Sequence, residues 1–167
     1  MEYIIREEQA GDVDQVRALL LAVFPTEAES KLVDALRANG KAVISLVAVS
    51  GEEVAGHILF SAVTTSPPGA AKGIGLAPVS VLPGSQGQGI GSQLVLAGLQ
   101  LCRQLEFDYC VVLGSPQYYQ RFGFDTAGRH GLENEYGADA EFMVVQFTSK
   151  RAAGLLRYAP EFAMFSV

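Results

Sequence analysis

Gln86, Gly87, Gln88, Gly89, Ile90, Gly91 and Ser92 are the residues of this chain best suited to chemistry. They close a stretch in which four glycines, Gly84, Gly87, Gly89 and Gly91, fall within eight positions. A short apolar run, Pro78 to Leu82, precedes the loop and reads as the end of a buried strand. A helix pattern follows at once, with Ile90, Leu94, Ala97, Leu101 and Leu105 spaced three or four apart. Strand, glycine loop and helix together aim several backbone N–H groups at one point. Glycine lets an anion approach the backbone, and a helix N-terminus adds unpaired donors and partial positive charge. A diphosphate suits that cradle, each charge being stabilised by roughly 0.3–1 kcal/mol.

Three phosphate-loop patterns compete for these residues. A Walker A loop needs lysine after its second glycine, but Ile90 follows Gly89, which argues against a nucleotide triphosphatase. A dinucleotide fingerprint fits Gly87 and Gly89, yet Ser92 stands where the third glycine belongs. The third pattern, Gln-x-x-Gly-x-Gly, is met in full by Gln86, Gly89 and Gly91.

With its preceding strand, that third pattern resembles the pyrophosphate-binding motif of the GNAT superfamily of N-acetyltransferases. A second segment, Tyr119-Gln120-Arg121-Phe122-Gly123-Phe124, resembles the superfamily's Tyr-x-x-x-Gly-Phe signature. The two lie in the right order, on the right elements, and the resemblance extends from Ile5 to Phe147. The whole sequence is most similar to a subgroup of small bacterial predicted N-acetyltransferases with a similar Tyr-Tyr-x-Arg-Phe-Gly-Phe segment.

The resemblance implies an α/β fold, a mixed sheet flanked by helices, and acetyl transfer from acetyl-CoA to an amine by direct attack in a ternary complex. Gln86 to Ser92 would then hold the pyrophosphate of acetyl-CoA. Val79, Ser80 and Val81 match the splayed strand whose backbone pairs with the pantetheine arm, and an N–H of Val79 or Val81 would face the oxyanion. Tyr119 matches the position that protonates the departing thiolate in many relatives, and it borders the cofactor as well. A phenol of pKa ~10 is protonated at neutral pH and close to a thiol's ~8.5.

The base is the departure. Relatives often carry a glutamate on the glycine-loop strand, whereas Gly75-Leu76-Ala77-Pro78-Val79-Ser80-Val81 contains no acid. Glu27 and Glu29, on the helix that borders the acceptor site in the family, are the carboxylate candidates. His57, acting through water, is a further one. Glu133, Glu135, Asp139 and Glu141 form an acidic stretch that favours a cationic acceptor or is simply solvated. The missing strand carboxylate also motivates an alternative, an acyl-CoA-binding or sensing protein without turnover.

Several elements must position these groups. Tyr3 to Arg6 reads as a strand, and Asp12 with Gln15 reads as a capping box opening a helix with Val13, Val16, Leu19, Leu20 and Val23 on one stripe. A second helix runs from Glu27 to the Asn39-Gly40 cap. Ile44 to Val49 and Val54 to Thr64 pair as antiparallel strands, and Ile74 to Val81 feeds the loop. After the central helix, Tyr109 to Leu113 is a buried strand, and Pro116 starts the short helix that carries Tyr118 and Tyr119. Arg129 to Asp139 reads as loop, Glu141 to Phe147 as strand, and Glu161 to Val167 as an edge element. One domain over residues 1–167 is expected.

Composition agrees. The 167 residues are 49% hydrophobic, enough for a substantial core, and no apolar run reaches the ~18 residues of a membrane helix. Met1 to Glu8 has neither a basic lead nor a signal-type apolar core, so a cytoplasmic protein is expected. A net charge of −6 weighs against nucleic acid and anionic membranes as partners. The expected partner is a small-molecule or peptide amine, with the chain a monomer or homodimer. Cys102, Cys110, His57 and His130 lack metal-ligand spacing, so no metal is expected and the cysteines read as buried thiols.

Overall fold

Period-two and period-3.6 patterns alternate along the chain, and the computed structural model, which describes residues 2–167, turns them into strands and helices. In chain order these are β1 (Ile4–Glu7), α1 (Val13–Val23), α2 (Ala28–Ala38), β2 (Ile44–Ser50), β3 (Glu53–Ser66) and β4 (Gly73–Val81). There follow α3 (Ile90–Gln104), β5 (Tyr109–Leu113), α4 (Pro116–Tyr119), β6 (Asp125–Thr126) and β7 (Leu132–Asn134). The chain ends with β8 (Phe142–Gln146), β9 (Gly154–Arg157) and α5 (Pro160–Met164). This is a mixed α/β fold with a mostly antiparallel sheet, as expected.

The residues cluster in two units, and β3, β4 and α3 contribute to both. The first comprises Met1–Phe60, Pro78–Gly98 and Pro160–Val167. Here β1 pairs antiparallel with β2, and β2 with β3, in a register that sets Ile44 against Phe60 and Val47 against His57. Val16, Leu19 and Leu20 of α1 and Leu32, Val33 and Leu36 of α2 are buried, each contributing about 1.5–3 kcal/mol through area removed from water. Glu161 of α5 is buried too, held by Lys41 Nζ and Asn39 Nδ2, both at 2.8 Å.

The second unit comprises Ser61–Ala77 and Leu99–Ala159. Gly73–Leu76 of β4 runs parallel to Tyr109–Val112 of β5. β5 pairs antiparallel with β8, and β8 with β6. The end of β3, Thr64–Ser66, pairs antiparallel with β9, which runs parallel to β7. Tyr109, Val111, Phe142, Val144 and Leu156 centre its core.

Four local expectations are corrected. Asp12 does not cap α1 with its side chain. Its carboxylate turns back to Gln9 N–H (2.7 Å) and to Arg6 (2.7 and 3.0 Å), while Gln15 bridges the backbone of Glu52 and Val54 instead. The bidentate guanidinium outcompetes a single cap bond. On α3 the buried stripe is Ile90, Leu94, Val95, Leu99 and Cys102, while Leu105 is 46% exposed. The helix ends at Gln104 and Glu106 turns left-handed (φ 64°), which swings Leu105 outward. The stretch 129–139 holds β7, because its backbone finds β9, a strand too short and unpatterned to read in advance. Finally, the C-terminal segment is helical: Pro160 pre-sets the first turn and Glu161 is anchored from its side chain.

Candidate active site

The glycine loop lies in the first unit. Leu82 N–H, just past β4, donates to Ala55 O at 2.8 Å, and Pro83–Ser85 makes one tight turn. Tyr3 Oη donates to Ser85 Oγ at 3.4 Å, and Gln86 Nε2 donates back to Val81 O at 3.1 Å, so both flanks of the turn are tied down. Gly87 and Gly89 then take φ values of +79° and +82°. An L-residue pays roughly 1–2 kcal/mol for each such conformation, whereas glycine does not. Nothing lies within 4 Å of a Cβ built on either, so the backbone, not space, demands glycine there.

That reversal launches α3, whose first-turn amides carry the partial positive charge of a helix N-terminus. No acidic residue sits in this first turn to neutralise it. Ile90 and Leu94 anchor the helix start on β3, where a Cβ at Gly56 would lie 3.0 Å from each side chain. Gly98 is stricter, since a Cβ there would stand 2.2 Å from the ring of Phe60. Two glycines on facing elements therefore set how closely α3 beds down, and with it where the loop amides point.

Along the end of β4, Pro78 and Ser80 are buried while Val79 and Val81 are half-buried. The parallel ladder with β5 stops at Leu76, so Pro78 follows the last ladder pair, where its missing N–H costs no bond to β5. Ser80 Oγ is buried and has no hydrogen-bond partner.

The structure separates the two acidic candidates. Glu27 precedes α2, is exposed, and pairs with Lys31 at 2.7 Å. Glu29, in the first turn of α2, is half-buried, and its Oε1 is sealed from solvent without a partner. Native structures seldom leave a buried carboxylate oxygen unbonded, which sets this atom apart.

His57 is fully buried. Its Nε2 meets Ser45 Oγ at 2.9 Å, Ser45 Oγ meets Glu8 Oε1 at 3.1 Å, and Arg37 Nε holds Glu8 at 2.9 Å. Burial pulls the imidazole down to about 4, with Glu8 opposing and Arg37 adding to the effect, so the ring is neutral at pH 7. This chain of four residues carried no sequence signal, because Glu8 follows β1 while Arg37, Ser45 and His57 sit on α2, β2 and β3, at unrelated spacings.

Tyr119 belongs to the second unit. Its ring covers Gly114 and packs edge-on against Tyr118 (5.0 Å) and Phe124 (5.6 Å). Gly123 ends the segment left-handed (φ 93°), which is what Tyr-x-x-x-Gly-Phe requires of its glycine. Burial, with smaller contributions from Tyr118 and Cys110, pushes the Tyr119 hydroxyl up to about 12. In the same unit Glu133 and Asp139 line a groove of about 500 Å³, while Glu135 pairs with Arg157 at 3.6 Å. Cys102 and Cys110 are buried free thiols. Among the described residues, no three His, Cys, Asp or Glu side chains gather as a metal site, and no helix is long and apolar enough to cross a membrane.

A strand–glycine-loop–helix cradle and a Tyr-x-x-x-Gly-Phe segment define an acetyltransferase class, and the model of the acetyltransferase (GNAT) family matches residues 13–124. The chain belongs to that family. It is 34% identical to the uncharacterized N-acetyltransferase YhbS of Escherichia coli K12, over 97% of this chain and 99% of that one. The crystal structure of E. coli YhbS in complex with CoA superposes with a TM-score of 0.91 at 32% identity, covering 98% of this chain and 93% of the other. A GNAT acetyltransferase from Brucella melitensis, solved with acetyl-CoA, gives 0.81 at 35% identity, covering 96% and 98%.

Proposed function

We propose that this protein transfers the acetyl group of acetyl-CoA to an amine by direct attack in a ternary complex, with residues 1–167 acting as one catalytic domain. One observation carries the reading: the left-handed Gly87 and Gly89 turn the backbone into a helix start that no acidic side chain neutralises. The amides from Gln86 to Ser92 bind the pyrophosphate, and the backbone of Val79, Ser80 and Val81 pairs with the pantetheine arm. An N–H of Val79 or Val81 donates to the carbonyl oxygen as it becomes an oxyanion. CoA and acetyl-CoA in the two related crystal structures support this assignment.

Glu29 is the base that draws the proton from the amine. A lysine-like ammonium of pKa ~10.4 needs about 4–5 kcal/mol to be neutral at pH 7, so its proton must pass to a base before the nitrogen attacks. The C–N bond then forms, the C–S bond breaks, and Tyr119 donates its O–H to the departing sulfur. Burial, which pushes the hydroxyl up to about 12, keeps the phenol protonated across the neutral range and widens its gap to a thiol's ~8.5. The acceptor is a small-molecule or peptide amine, for which the groove beside Glu133 and Asp139 offers negative charge. The acidic balance, −6, speaks against nucleic acid as a partner.

The test is turnover: purified protein, acetyl-CoA and a panel of amines, followed by thiol release and by the mass of the acceptor. Thiol release matched by an acetylated amine is the expected result. β4 lacks an acid, which favours a second reading, an acyl-CoA-binding protein without turnover. Calorimetric binding of acetyl-CoA with no product from the panel decides for it.

A further inference from the structure

Most lysine and arginine side chains of this acidic chain are in ion pairs. Among the described residues, Lys72, Arg103 and Lys150 form none, and all three line one cavity of about 740 Å³. The cavity lies wholly in the second unit and takes no residue from the glycine loop. Its size falls in the ~300–1,000 Å³ range of small-molecule sites.

Three segments form its walls: Lys72 just before β4, the stretch from Arg103 in the last turn of α3 to Asp108, and Phe147 to Lys150 just after β8. Asp108, 7% exposed, ties them together. Its Oδ2 accepts Lys72 N–H and its Oδ1 accepts Thr148 O–H, both at 2.7 Å, and its backbone O accepts Phe147 N–H at 2.8 Å. Gln146 pins the last segment, its Nε2 donating to Lys150 O and its Oε1 accepting Ala152 N–H, both at 3.1 Å. Two of the cations rest on ring faces. Lys72 Nζ stands 4.3 Å from the centre of Phe107, and the Arg103 guanidinium 4.8 Å from that of Phe147. A cation held this way still has N–H groups to donate.

The charges select the occupant. The last carbonyls of α3 would repel an anion, but Cys102 O accepts Phe107 N–H, Arg103 O accepts Glu106 N–H and Leu105 O accepts Lys72 Nζ. Glu106 is exposed, and both oxygens of Asp108 are already engaged within the wall. Three cations against these two carboxylates leave a small positive excess. That suits one compact anion and is too little for the long polyanion of a nucleic acid. A phosphomonoester carries about −1.5 to −2 with three acceptor oxygens, whereas a carboxylate brings one charge and two oxygens. We propose that this cavity binds the phosphate group of a small phosphomonoester, Arg103 gripping it with two N–H groups and Lys72 and Lys150 acting as point charges. The site stands independently of the acetyltransferase reading.

The experiment follows amide shifts of the nitrogen-15 labelled full chain, with and without saturating CoA, so that anions taken up by the glycine loop are told apart. The probes are inorganic phosphate, glucose 6-phosphate and, as a dicarboxylate, succinate, at matched ionic strength. Both phosphates are expected to shift the amides of Lys72, Phe107, Asp108 and Lys150 saturably, with a Kd of about 1 mM, and equally in the presence of CoA. Arg103→Gln and Lys150→Gln should each weaken binding about tenfold, the worth of one charge-assisted hydrogen bond. Arg151→Gln removes the same charge one residue along, outside the cavity wall, and should change Kd by less than about twofold. Succinate should bind about fivefold or more weakly, since its carboxylates lack the third oxygen.

Shifts that grow linearly with both phosphates, succinate binding as tight as phosphate, or an Arg151→Gln loss as large as that of Arg103→Gln each overturn the proposal. So do Arg103→Gln and Lys150→Gln chains that bind like the unaltered one. Loss of the phosphate shifts on adding CoA would assign the cavity to the cofactor and overturn it as well. A chain that binds no CoA yet shows these shifts loses the acetyltransferase reading and keeps this site.

Discussion

The ring of Tyr119 fills the space that a side chain at residue 114 would occupy: a Cβ on Gly114 would lie 2.3 Å from Tyr119 Cε2. The glycine that ends β5 therefore sets the pose of the tyrosine five residues later. Gly114→Ala should destabilise the fold by about 1–3 kcal/mol through overpacking and displace the phenol. Tyr119→Phe keeps the packing and removes only the hydroxyl. It should lower kcat by about 10²–10⁴-fold with the KM for acetyl-CoA and Tm little changed, the usual scale of a lost proton donor. With the hydroxyl pushed up to about 12, wild type and Tyr119→Phe should share the same basic limb of the kcat profile below pH ~10. A limb that vanishes in the variant would assign a titration to Tyr119 and refute this account.

Glu27 and Glu29 separate by environment, the first exposed beside Lys31 and the second with a sealed, unbonded oxygen. Glu29→Gln should cost about 10²-fold or more in kcat/KM, the range for a lost general base. Glu27→Gln should cost only the ~0.3–0.5 kcal/mol of a surface i,i+4 pair and leave turnover nearly intact. Parallel kinetics on the two variants check this, and the reverse ranking would move the base to Glu27.

Gly84 and Gly89 make a matched comparison on the loop. Neither has an atom within 4 Å of a built Cβ, but only Gly89 is left-handed, at φ +82°. Gly89→Ala should strain the turn by about 1–2 kcal/mol and weaken CoA binding about tenfold by calorimetry. Gly84→Ala should bind CoA like wild type. Equal loss in both would mean that bulk in the loop, not backbone conformation, governs affinity.

His57 links stability to pH. Its pKa falls from 6.5 to about 4 on folding, so between those values the unfolded chain binds the extra proton. The contribution of the neutral ring is full above pH ~6.5 and lost as pH falls toward ~4, on the order of 3 kcal/mol in all. Denaturant titrations at pH 7 and pH 5 should show the loss in wild type, and a smaller one in His57→Gln, where only the carboxylates remain to titrate. An identical pH dependence in the two proteins would exclude His57 as its source.

Local pattern alone determined a good deal. Gln86, Gly89 and Gly91 announced the loop, Tyr119 with Gly123 and Phe124 announced the second motif, and the boundaries of α1, α2, β2 and β5 fell within a residue or two. These are short-range properties: a left-handed turn needs glycine wherever it occurs, and a buried stripe recurs at the pitch of its own helix. Tertiary structure decided what depends on neighbours distant in sequence. It drew Asp12 to Arg6 instead of the helix end, gave β7 a partner in β9, and made α5 a helix tied to Lys41. It sealed an oxygen of Glu29, left Glu27 exposed beside Lys31, and lined up Glu8, Ser45 and His57, because whether a polar atom is bonded, sealed or exposed is set by what packs over it.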